Sequence, residues 1–288
     1  MVIIKISGGL GNQLFQYSFG MYLSTLLDTK VLFDVHSNIR RKNYTARQLD
    51  LQNLNINIEV VDKKVIQGLK WTNDGFLSRI ERKLVQLIPC LNSSYYVEKE
   101  LHGNLDKIKL KSNCYYDGYW QNTLLANYID PTTIFDKLVI KYKSEAIVEE
   151  IIGSESVSIH IRRGDYITIK KNKSIYNICE MYYYNAAIDY IRINCLKPTF
   201  YIFSDDIEWA KQNIVGDDFF YISDNEPIYD LWLMSLCKHN IIANSTFSWW
   251  AASLNTNKSK IVIAPEKWYA NIKSNALTSF IPGNWIRK

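Results

Sequence analysis

The sequence predicts an α/β fold built on parallel β-sheets. Residues 157–162 alternate apolar and polar side chains, which is the pattern of a β-strand with one buried face. From residue 156 onward, strand-like segments alternate with helical segments, which indicates parallel strands joined by right-handed helical connections. The N-terminal residues add a strand–helix–strand pattern of their own. These three observations carry the fold prediction.

Composition narrows the class of protein. The 288 residues, 47% of them hydrophobic, suffice for one large globular domain or two of ordinary size. A net charge of +5 without a basic tract fits a small anionic ligand better than a nucleic-acid groove. The five cysteines form no Cys-x-x-Cys pair, so we expect no disulfide framework or zinc site and favour a reducing cytosol. No apolar run reaches the ~20 residues of a membrane-spanning helix, and the N-terminus reads as a strand rather than a signal peptide.

The N-terminal segment has the element order of a nucleotide-binding unit. Residues 2–7 predict a buried strand, residues 12–27 a helix, and residues 30–35 a second strand that ends at an acid. Glycines precede the helix, as in dinucleotide-binding proteins, but the place of the third glycine holds Leu14. Its bulk opposes the close helix–strand packing that a glycine permits, so a nicotinamide-dependent oxidoreductase is an alternative that Leu14 opposes.

The turn before this helix is a candidate site. Gly11 allows the backbone to approach a ligand, and Asn12 and Gln13 place side-chain amides at the start of the helix. Asn12 also has a second interpretation, as the N-cap of the helix.

The middle of the chain carries weaker patterns. They predict a polar loop over residues 37–57, helices over 61–69, 76–88 and 144–152, and a segment over 124–139 that begins as a helix. Residues 115–120 read as an aromatic strand that either lines a sugar-binding cleft or packs a sheet face. The pattern becomes more regular after residues 140–155, so we predict domains over 1–150 and 151–288, with a C-terminal tail able to pack back on the first domain.

The second domain is predicted to repeat a strand–helix unit. Strands are expected over residues 157–162, 199–204, 219–223, 240–243 and 260–264, and helices over 179–194, 207–214, 227–238 and 247–254. Ligands bind at the carboxyl ends of the strands in such sheets, and polar residues follow three of these strands. They are His160, Arg162, Arg163 and Asp165, then Ser204, Asp205 and Asp206, and then Asn244, Ser245, Thr246 and Ser248.

Together these three clusters predict a nucleoside-diphosphate pocket. The arginines offer cations for phosphate, Asp205 and Asp206 offer acceptors for ribose or base, and the third cluster lies at a helix N-terminus, which attracts anions. Each cluster also has a structural interpretation. The arginines would form a surface pair bridged to carboxylates, and the acids and hydroxyls of the other two clusters would act as N-caps. A metal is not expected, because adjacent carboxylates project apart along a strand and no third ligand is evident.

Four motifs resemble those of glycosyltransferase family 11, the α-1,2-fucosyltransferases that use GDP-fucose. They are residues 8–17 (GGLGNQLFQY), 160–166 (HIRRGDY), 203–206 (FSDD) and 244–250 (NSTFSWW), in the family's order. The resemblance implies a GT-B architecture, in which two Rossmann-like domains face each other across a cleft. The C-terminal domain would hold GDP-fucose and the N-terminal domain the acceptor.

The resemblance also implies a reaction, the inverting and metal-independent transfer of L-fucose to the 2-hydroxyl of a β-galactoside. Arg162 would stabilise the leaving β-phosphate, Arg163 would contact the diphosphate or brace the turn through Asp165, and the other cluster residues would bind the donor. Asn12 matches an asparagine near the reacting centre of protein O-fucosyltransferases, with Gly11 and Gln13 beside it on the acceptor side. No general base is identified, and no cofactor or metal is expected besides the GDP-L-fucose substrate.

The implied enzyme is cytoplasmic, or peripheral on the inner face of the plasma membrane. It would make O-antigen or a related surface polysaccharide on lipid-linked or free oligosaccharides, with no nucleic-acid partner and no transmembrane segment. Two further alternatives stay open, a fucosyltransferase of another linkage and a non-catalytic sugar-binding protein.

Overall fold

Two compact units make up the chain, Met1–Ile129 and Asp130–Lys288. The computed structural model describes residues 1–36, 49–71, 76–88, 91–99, 102, 105–142, 144–169, 172, 174–271 and 280–288. The boundary predicted after residue 150 lies too late, because the helix Ala146–Gly153 packs against the strand Ser156–Ile161 and the helix Pro227–Leu236 of the second unit. Residues 37–48 of the predicted polar loop lie outside the described part.

The first unit is a parallel sheet with helices. Its described strands are β1 (Val2–Lys5), β2 (Val31–Asp34), β3 (Tyr95–Val97) and β4 (Cys114–Asp117), in the order β2-β1-β4-β3. Its helices are α1 (Leu10–Leu27), α2 (Lys63–Gln67) and α3 (Phe76–Leu87), and 3₁₀ turns span Asp50–Asn53, Leu105–Lys107 and Thr123–Tyr128. The sequence patterns missed the short strand β3 and overestimated the length of α2.

Helix α1 approaches β2 closely at one glycine. A Cβ on Gly20 would stand 3.0 Å from a Val31 methyl and 3.0 Å from the Phe33 ring, so these side chains pack directly on the helix backbone. Leu14, at the place of the third glycine in dinucleotide-binding proteins, is fully buried. The close packing that Leu14 was expected to oppose therefore exists, but Gly20 provides it further along the helix.

The second unit is a larger parallel sheet with order β10-β9-β8-β5-β6-β7. Its described strands are β5 (Ser156–Ile161), β6 (Thr199–Ser204), β7 (Phe219–Ile222), β8 (His239–Ile241), β9 (Val262–Ala264) and β10 (Ile286–Arg287). Its helices are α4 (Asp136–Tyr142), α5 (Ala146–Gly153), α6 (Gly164–Thr168), α7 (Met181–Asn194), α8 (Ile207–Asn213), α9 (Pro227–Leu236) and α10 (Thr246–Leu254). The predicted alternation of strands and helices is confirmed in this unit.

Strand β5 is buried on both faces, which corrects the prediction of one buried face. Its polar side chains are satisfied inside the protein: the Ser158 hydroxyl accepts a hydrogen bond from Nδ2 of Asn240 in the neighbouring β8, at 2.8 Å. A central strand of a parallel sheet is covered by helices on both sides, so alternation along β5 reflects polar contacts within the core and not exposure to water.

Besides α4, two elements of the second unit were not predicted. The helix α6 forms directly after β5, in a segment expected to be a loop, and the C-terminal tail adds β10 beside β9. The tail was expected to be able to pack on the first domain, but its residues 286–287 extend the second sheet. Both elements are short, so they carry little periodicity for a sequence pattern to reveal.

Candidate active site

The three polar clusters of the second unit follow neighbouring strands. Strand β5 lies between β8 and β6 and pairs in parallel with both. The carboxyl ends of these three strands therefore lie side by side, and the clusters that follow them meet at one edge of the sheet.

Arg162 lies at this edge, directly after β5. Its Nη2 contacts Oδ1 of Asp165 at 2.5 Å, and its Nη1 contacts Oδ2 of Asp205 at 2.9 Å. Burial by itself would lower the pKa of Arg162, but Asp205 and Asp165 outweigh burial and raise the pKa above its ordinary value. Arg162 is therefore a permanently charged group that two carboxylates hold in place.

Asp205 organises the turn that carries the arginines. Its Oδ1 accepts the backbone N–H groups of Arg163 at 2.8 Å and Gly164 at 3.1 Å, while its Oδ2 pairs with Arg162. A Cβ on Gly164 would stand 2.8 Å from Oδ2 of Asp205, so a glycine is needed for this approach. These contacts favour a positioning role for Asp205 over the predicted contact with ribose or base.

Arg163 contacts a different acid from the one suggested by the sequence. Its Nε lies 3.3 Å from Oδ2 of Asp206, and its guanidinium carbon lies 3.9 Å from the centre of the Trp209 ring. Asp206 is the N-cap of α8, because its Oδ1 accepts the N–H of Trp209, and the Ser204 hydroxyl accepts the N–H of Asp206. Arg163 thus braces α8 and not Asp165, and the N-cap interpretation of Asp206 is confirmed.

His160 is a buried, neutral histidine. Its Nδ1 lies 2.9 Å from the Ser248 hydroxyl, which can itself donate to the carbonyl of Ser245 at 3.3 Å. Burial lowers the pKa of His160 to about 4, with Asp205 opposing that shift and Arg162 adding to it. With its proton on Nδ1, the neutral ring offers Nε2 as a hydrogen-bond acceptor.

The third cluster builds the start of α10. Ser245 is the N-cap, and its hydroxyl accepts the N–H of Phe247 at 3.3 Å. Thr246 is half-buried in the first turn, whose backbone N–H groups form the anion-attracting end of the helix. Asn244 is 1% exposed and donates both amide hydrogens to the carbonyls of Asn177 and Trp268, which favours a positioning role over direct donor contact.

The carboxyl edge of the first sheet carries the glycine-rich turn. The N-cap of α1 is Gly9, so the N-cap interpretation of Asn12 is wrong. The Asn12 Oδ1 accepts a hydrogen bond from Nε2 of Gln121 at 2.8 Å. Gly8 has φ +85°, and a Cβ there would stand 2.9 Å from the Asn12 amide, so glycine is required beside Asn12.

Gln13 and Gly11 shape this turn from inside the protein. Gln13 is fully buried, donates to the carbonyl of Gly8 at 3.0 Å and accepts the N–H of Asp50 at 3.1 Å. Gly11 is also buried, whereas Asn12 is half-buried. Of the three residues predicted on the acceptor side, Asn12 is therefore the one best placed to contact a ligand.

Glu98 lies at the same edge and was missed by the sequence patterns. It follows β3, and its carboxylate accepts the N–H groups of Tyr119 at 2.6 Å and Trp120 at 3.1 Å. A Cβ on Gly118 would lie 2.8 Å from the Glu98 carboxylate, and Trp120 has φ 55°, a left-handed conformation that costs a bulky residue about 1 kcal/mol or more. The backbone is thus shaped around this carboxylate.

The environment of Glu98 raises the pKa of its carboxyl group toward neutral pH. Burial raises the pKa of Glu98 to about 7, although the two backbone N–H groups and Arg82 favour the ionised form. Asp117 adds to the increase. Beyond Trp120, the buried Oε1 of Gln121 has no hydrogen-bond partner among the described residues.

Comparison with known proteins defines the family. Residues 1–287 match the sequence profile described as Glycosyl transferase family 11. This chain belongs to that family. It is 33% identical to an alpha-1,2-colitosyltransferase of Escherichia coli, over all of this chain and 98% of the relative. It is 32% identical to the O-antigen biosynthesis glycosyltransferase WbnK of Escherichia coli, over 98% of each chain.

A solved structure supports the fold. The fucosyltransferase NodZ from Bradyrhizobium matches 87% of this family 11 chain and 90% of its own length, with a TM-score of 0.53 at 13% sequence identity. The predicted α/β fold of GT-B type, with two Rossmann-like domains, is confirmed. The chain is a glycosyltransferase, and the nicotinamide-dependent oxidoreductase is set aside.

A cluster with the side chains of a metal site lies at the amino end of the second sheet. Ligand atoms of Glu155, Cys195 and His239 lie within 4.8 Å of one another. Nδ1 of His239 accepts the N–H of Ile261 at 2.9 Å, so the ring proton stands on Nε2, which donates to Glu155 at 3.0 Å. A metal on Nε2 would require the proton on Nδ1, where it would face the N–H of Ile261, so this cluster fits a metal poorly.

Proposed function

We propose that this glycosyltransferase transfers L-fucose from GDP-β-L-fucose to the 2-hydroxyl of a β-galactoside, with inversion at fucose C1. The observation that carries the proposal is Arg162, held by Asp165 and Asp205 at the carboxyl edge of the second sheet. Parallel α/β sheets bind ligands at this edge, and an arginine together with the N-terminus of α10 suits a diphosphate. The four motifs that resemble α-1,2-fucosyltransferases support the choice of donor.

Arg162 acts on the leaving group of the reaction. The acceptor oxygen forms a bond to C1 while the bond from C1 to the β-phosphate oxygen breaks, and its electron pair leaves with GDP. Arg162 stabilises the charge that grows on that phosphate, an effect worth about 3 kcal/mol for one well-placed donor. His160 is neutral and contributes an acceptor for the nucleoside.

We propose that the proton of the attacking hydroxyl passes to Glu98. A general base works best when its pKa lies near the working pH, and Glu98 has a pKa of about 7. Asn12 and Gln121, bonded to each other at the same edge of the first unit, would orient the acceptor sugar.

Colitose is a second candidate for the transferred sugar. One full-length relative is a colitosyltransferase with the same α-1,2 linkage, and colitose is L-fucose without the 3-hydroxyl. A site that accepts one sugar can accept the other unless it hydrogen-bonds that hydroxyl.

The deciding experiment supplies GDP-fucose or GDP-colitose with a panel of β-galactosides and determines the product linkage by NMR. We expect an α-1,2-linked fucoside as the main product. A colitoside as the main product would change the donor, and another linkage would change the acceptor hydroxyl. Binding of galactosides without turnover of either donor would favour the sugar-binding alternative.

We also propose that the reaction needs no metal, because Arg162 supplies the positive charge at the leaving group. EDTA should leave the initial rate unchanged. A rate that falls with EDTA and returns with Mg²⁺ or Mn²⁺ would contradict this part of the proposal.

The biological acceptor is proposed from the relatives. One of them is named for O-antigen biosynthesis, which supports a surface-polysaccharide acceptor. We propose that this acceptor is lipid-linked or free and that the enzyme works in the cytoplasm. Transfer to synthetic lipid-linked β-galactosides, compared with the free oligosaccharides, tests this acceptor class.

A further inference from the structure

Helix α3 of the first unit exposes its apolar side. Its side chains Phe76, Leu77, Ile80, Leu84 and Leu87 are between 40% and 78% exposed, and Ile88, directly after the helix, is 48% exposed. Val85 is the buried apolar residue of this helix. A surface helix of a soluble domain ordinarily turns its apolar stripe to the core, so α3 is reversed in this respect.

The inward side of α3 is polar and bonded to the rest of the unit. Glu81 is 3% exposed and accepts the N–H of Trp71 at 2.7 Å. Arg82 pairs with Asp117 at 3.2 Å, and Gln86 donates to the carbonyl of Glu98 at 3.1 Å. Rolling the helix to bury its apolar side would break these bonds, so the exposure of the stripe is fixed by the fold.

The exposed side of α3 carries cations and no acid. Arg79 and Lys83 are exposed beside the apolar stripe, and the acid of the helix, Glu81, is buried. An apolar stripe flanked by Lys or Arg is the pattern of helices that lie in a membrane interface. A second copy of this chain would bring Arg79 and Lys83 against the same cations, with no acid on this face to pair with them.

We propose that α3 docks this chain on a bilayer surface that contains anionic lipid. The apolar stripe enters the boundary between head groups and acyl chains, and Arg79 and Lys83 contact lipid phosphates. With 12 residues the helix is about 18 Å long, so it lies along the surface. No described helix is long and apolar enough to cross a membrane. This docking does not depend on which sugar is transferred.

Co-sedimentation of the full chain with vesicles tests the docking. The probes are vesicles of phosphatidylglycerol and phosphatidylethanolamine, with pure phosphatidylcholine vesicles as the neutral reference. The double variant Leu84→Glu/Leu87→Glu should bind the anionic vesicles at least about tenfold more weakly. The matched control is Ile193→Glu/Leu196→Glu, whose side chains are 82% and 85% exposed in the second unit and which should bind like the unaltered chain.

The charge reversal Arg79→Glu/Lys83→Glu tests the lipid phosphates separately. It should weaken binding to anionic vesicles about tenfold and remove the dependence of binding on salt. Circular dichroism checks that every variant is folded. Two results would each overturn the proposal: no sedimentation of the unaltered chain with vesicles, or equal binding to neutral vesicles. In the first case, loss of self-association in an α3 variant would assign the stripe to a second copy of the chain.

Discussion

At the edge of the second sheet, the polar residues differ in role, and Arg162 is the example. A guanidinium that is only 22% exposed is costly without partners, and Asp165 and Asp205 supply them. Asp206, Ser245 and Asn244 use their polar atoms on helix starts and neighbouring carbonyls. The residues predicted to bind the donor thus separate into Arg162 and His160, for which we propose direct contact with the donor, and a larger set whose polar atoms bond within the protein.

The Arg162→Ala variant should lower kcat by about 100-fold to 1,000-fold, because the growing charge on the leaving phosphate loses its stabilising cation. Steady-state kinetics with donor and acceptor measure this loss. The control is Arg192→Ala, which removes an exposed ion pair with Asp218 and should change kcat less than about twofold. Retention of most activity by a folded Arg162→Ala variant would remove Arg162 from the mechanism.

The Glu98→Gln variant should lower kcat/KM about 100-fold and alter its pH profile. A base must be ionised, so the activity of the unaltered chain should fall as the pH drops below about 7, the raised pKa of Glu98. The variant should lack this acid limb. A profile that keeps the limb after the substitution would assign the proton to another group.

Glu81→Gln is the matched control for Glu98. Glu81 is a buried acid of the same unit and also accepts a backbone N–H, so its loss should reduce stability and leave the acid limb in place. The pH dependence of stability reports on Glu98 independently of activity. Because the folded state raises the pKa of Glu98, its carboxyl favours folding most at low pH, and that contribution is lost as the pH rises from about 4.5 to about 7.

At the scale of elements, strands and helices join through close contacts that sequence motifs locate only in part. Strand β5 places Arg162, β6 places Asp205, and α10 supplies a helix N-terminus, all from predicted segments. Helix α1 reaches β2 through Gly20, which lies outside the dinucleotide-binding pattern. Helix α3 was predicted from its periodicity, but periodicity could not tell which of its sides faces the core.

Gly20→Ala should destabilise the chain by about 1–3 kcal/mol, because the new methyl would stand 3.0 Å from both Val31 and Phe33 in a packed core. Urea unfolding measures the change. The control is Gly153→Ala at the end of α5, where a Cβ meets nothing within 4 Å, so the helix propensity of alanine should leave stability equal or slightly higher. Equal stability of both variants would contradict the close packing of α1 on β2.

At the scale of the whole molecule, two parallel sheets each present a polar carboxyl edge. The edge of the second unit carries two arginines, held by three carboxylates, and a helix N-terminus. The edge of the first unit offers amides and the carboxylate of Glu98. This difference in chemistry supports the assignment of the nucleotide to the second unit and of the acceptor sugar to the first.

Hydrogen exchange of the full chain with saturating GDP tests this division. We expect slower exchange in the segments after β5 and β6 and at the start of α10, and little change in residues 8–17. At a GDP concentration 100 times its Kd, the chain should gain about 2.7 kcal/mol of stability. Protection confined to residues 8–17 would place the nucleotide in the first unit.

The sequence by itself determined the parallel α/β character of the second unit, the meeting of three polar clusters at strand ends, and the family. Each depends on local periodicity or on contiguous motifs, which are written within short stretches of chain. Only the tertiary structure decided that Asp205 holds Arg162, that Asn244 is buried, and that the backbone wraps Glu98. It also turned the apolar side of α3 outward. These features depend on contacts and burial between residues distant in the chain, which no local pattern records.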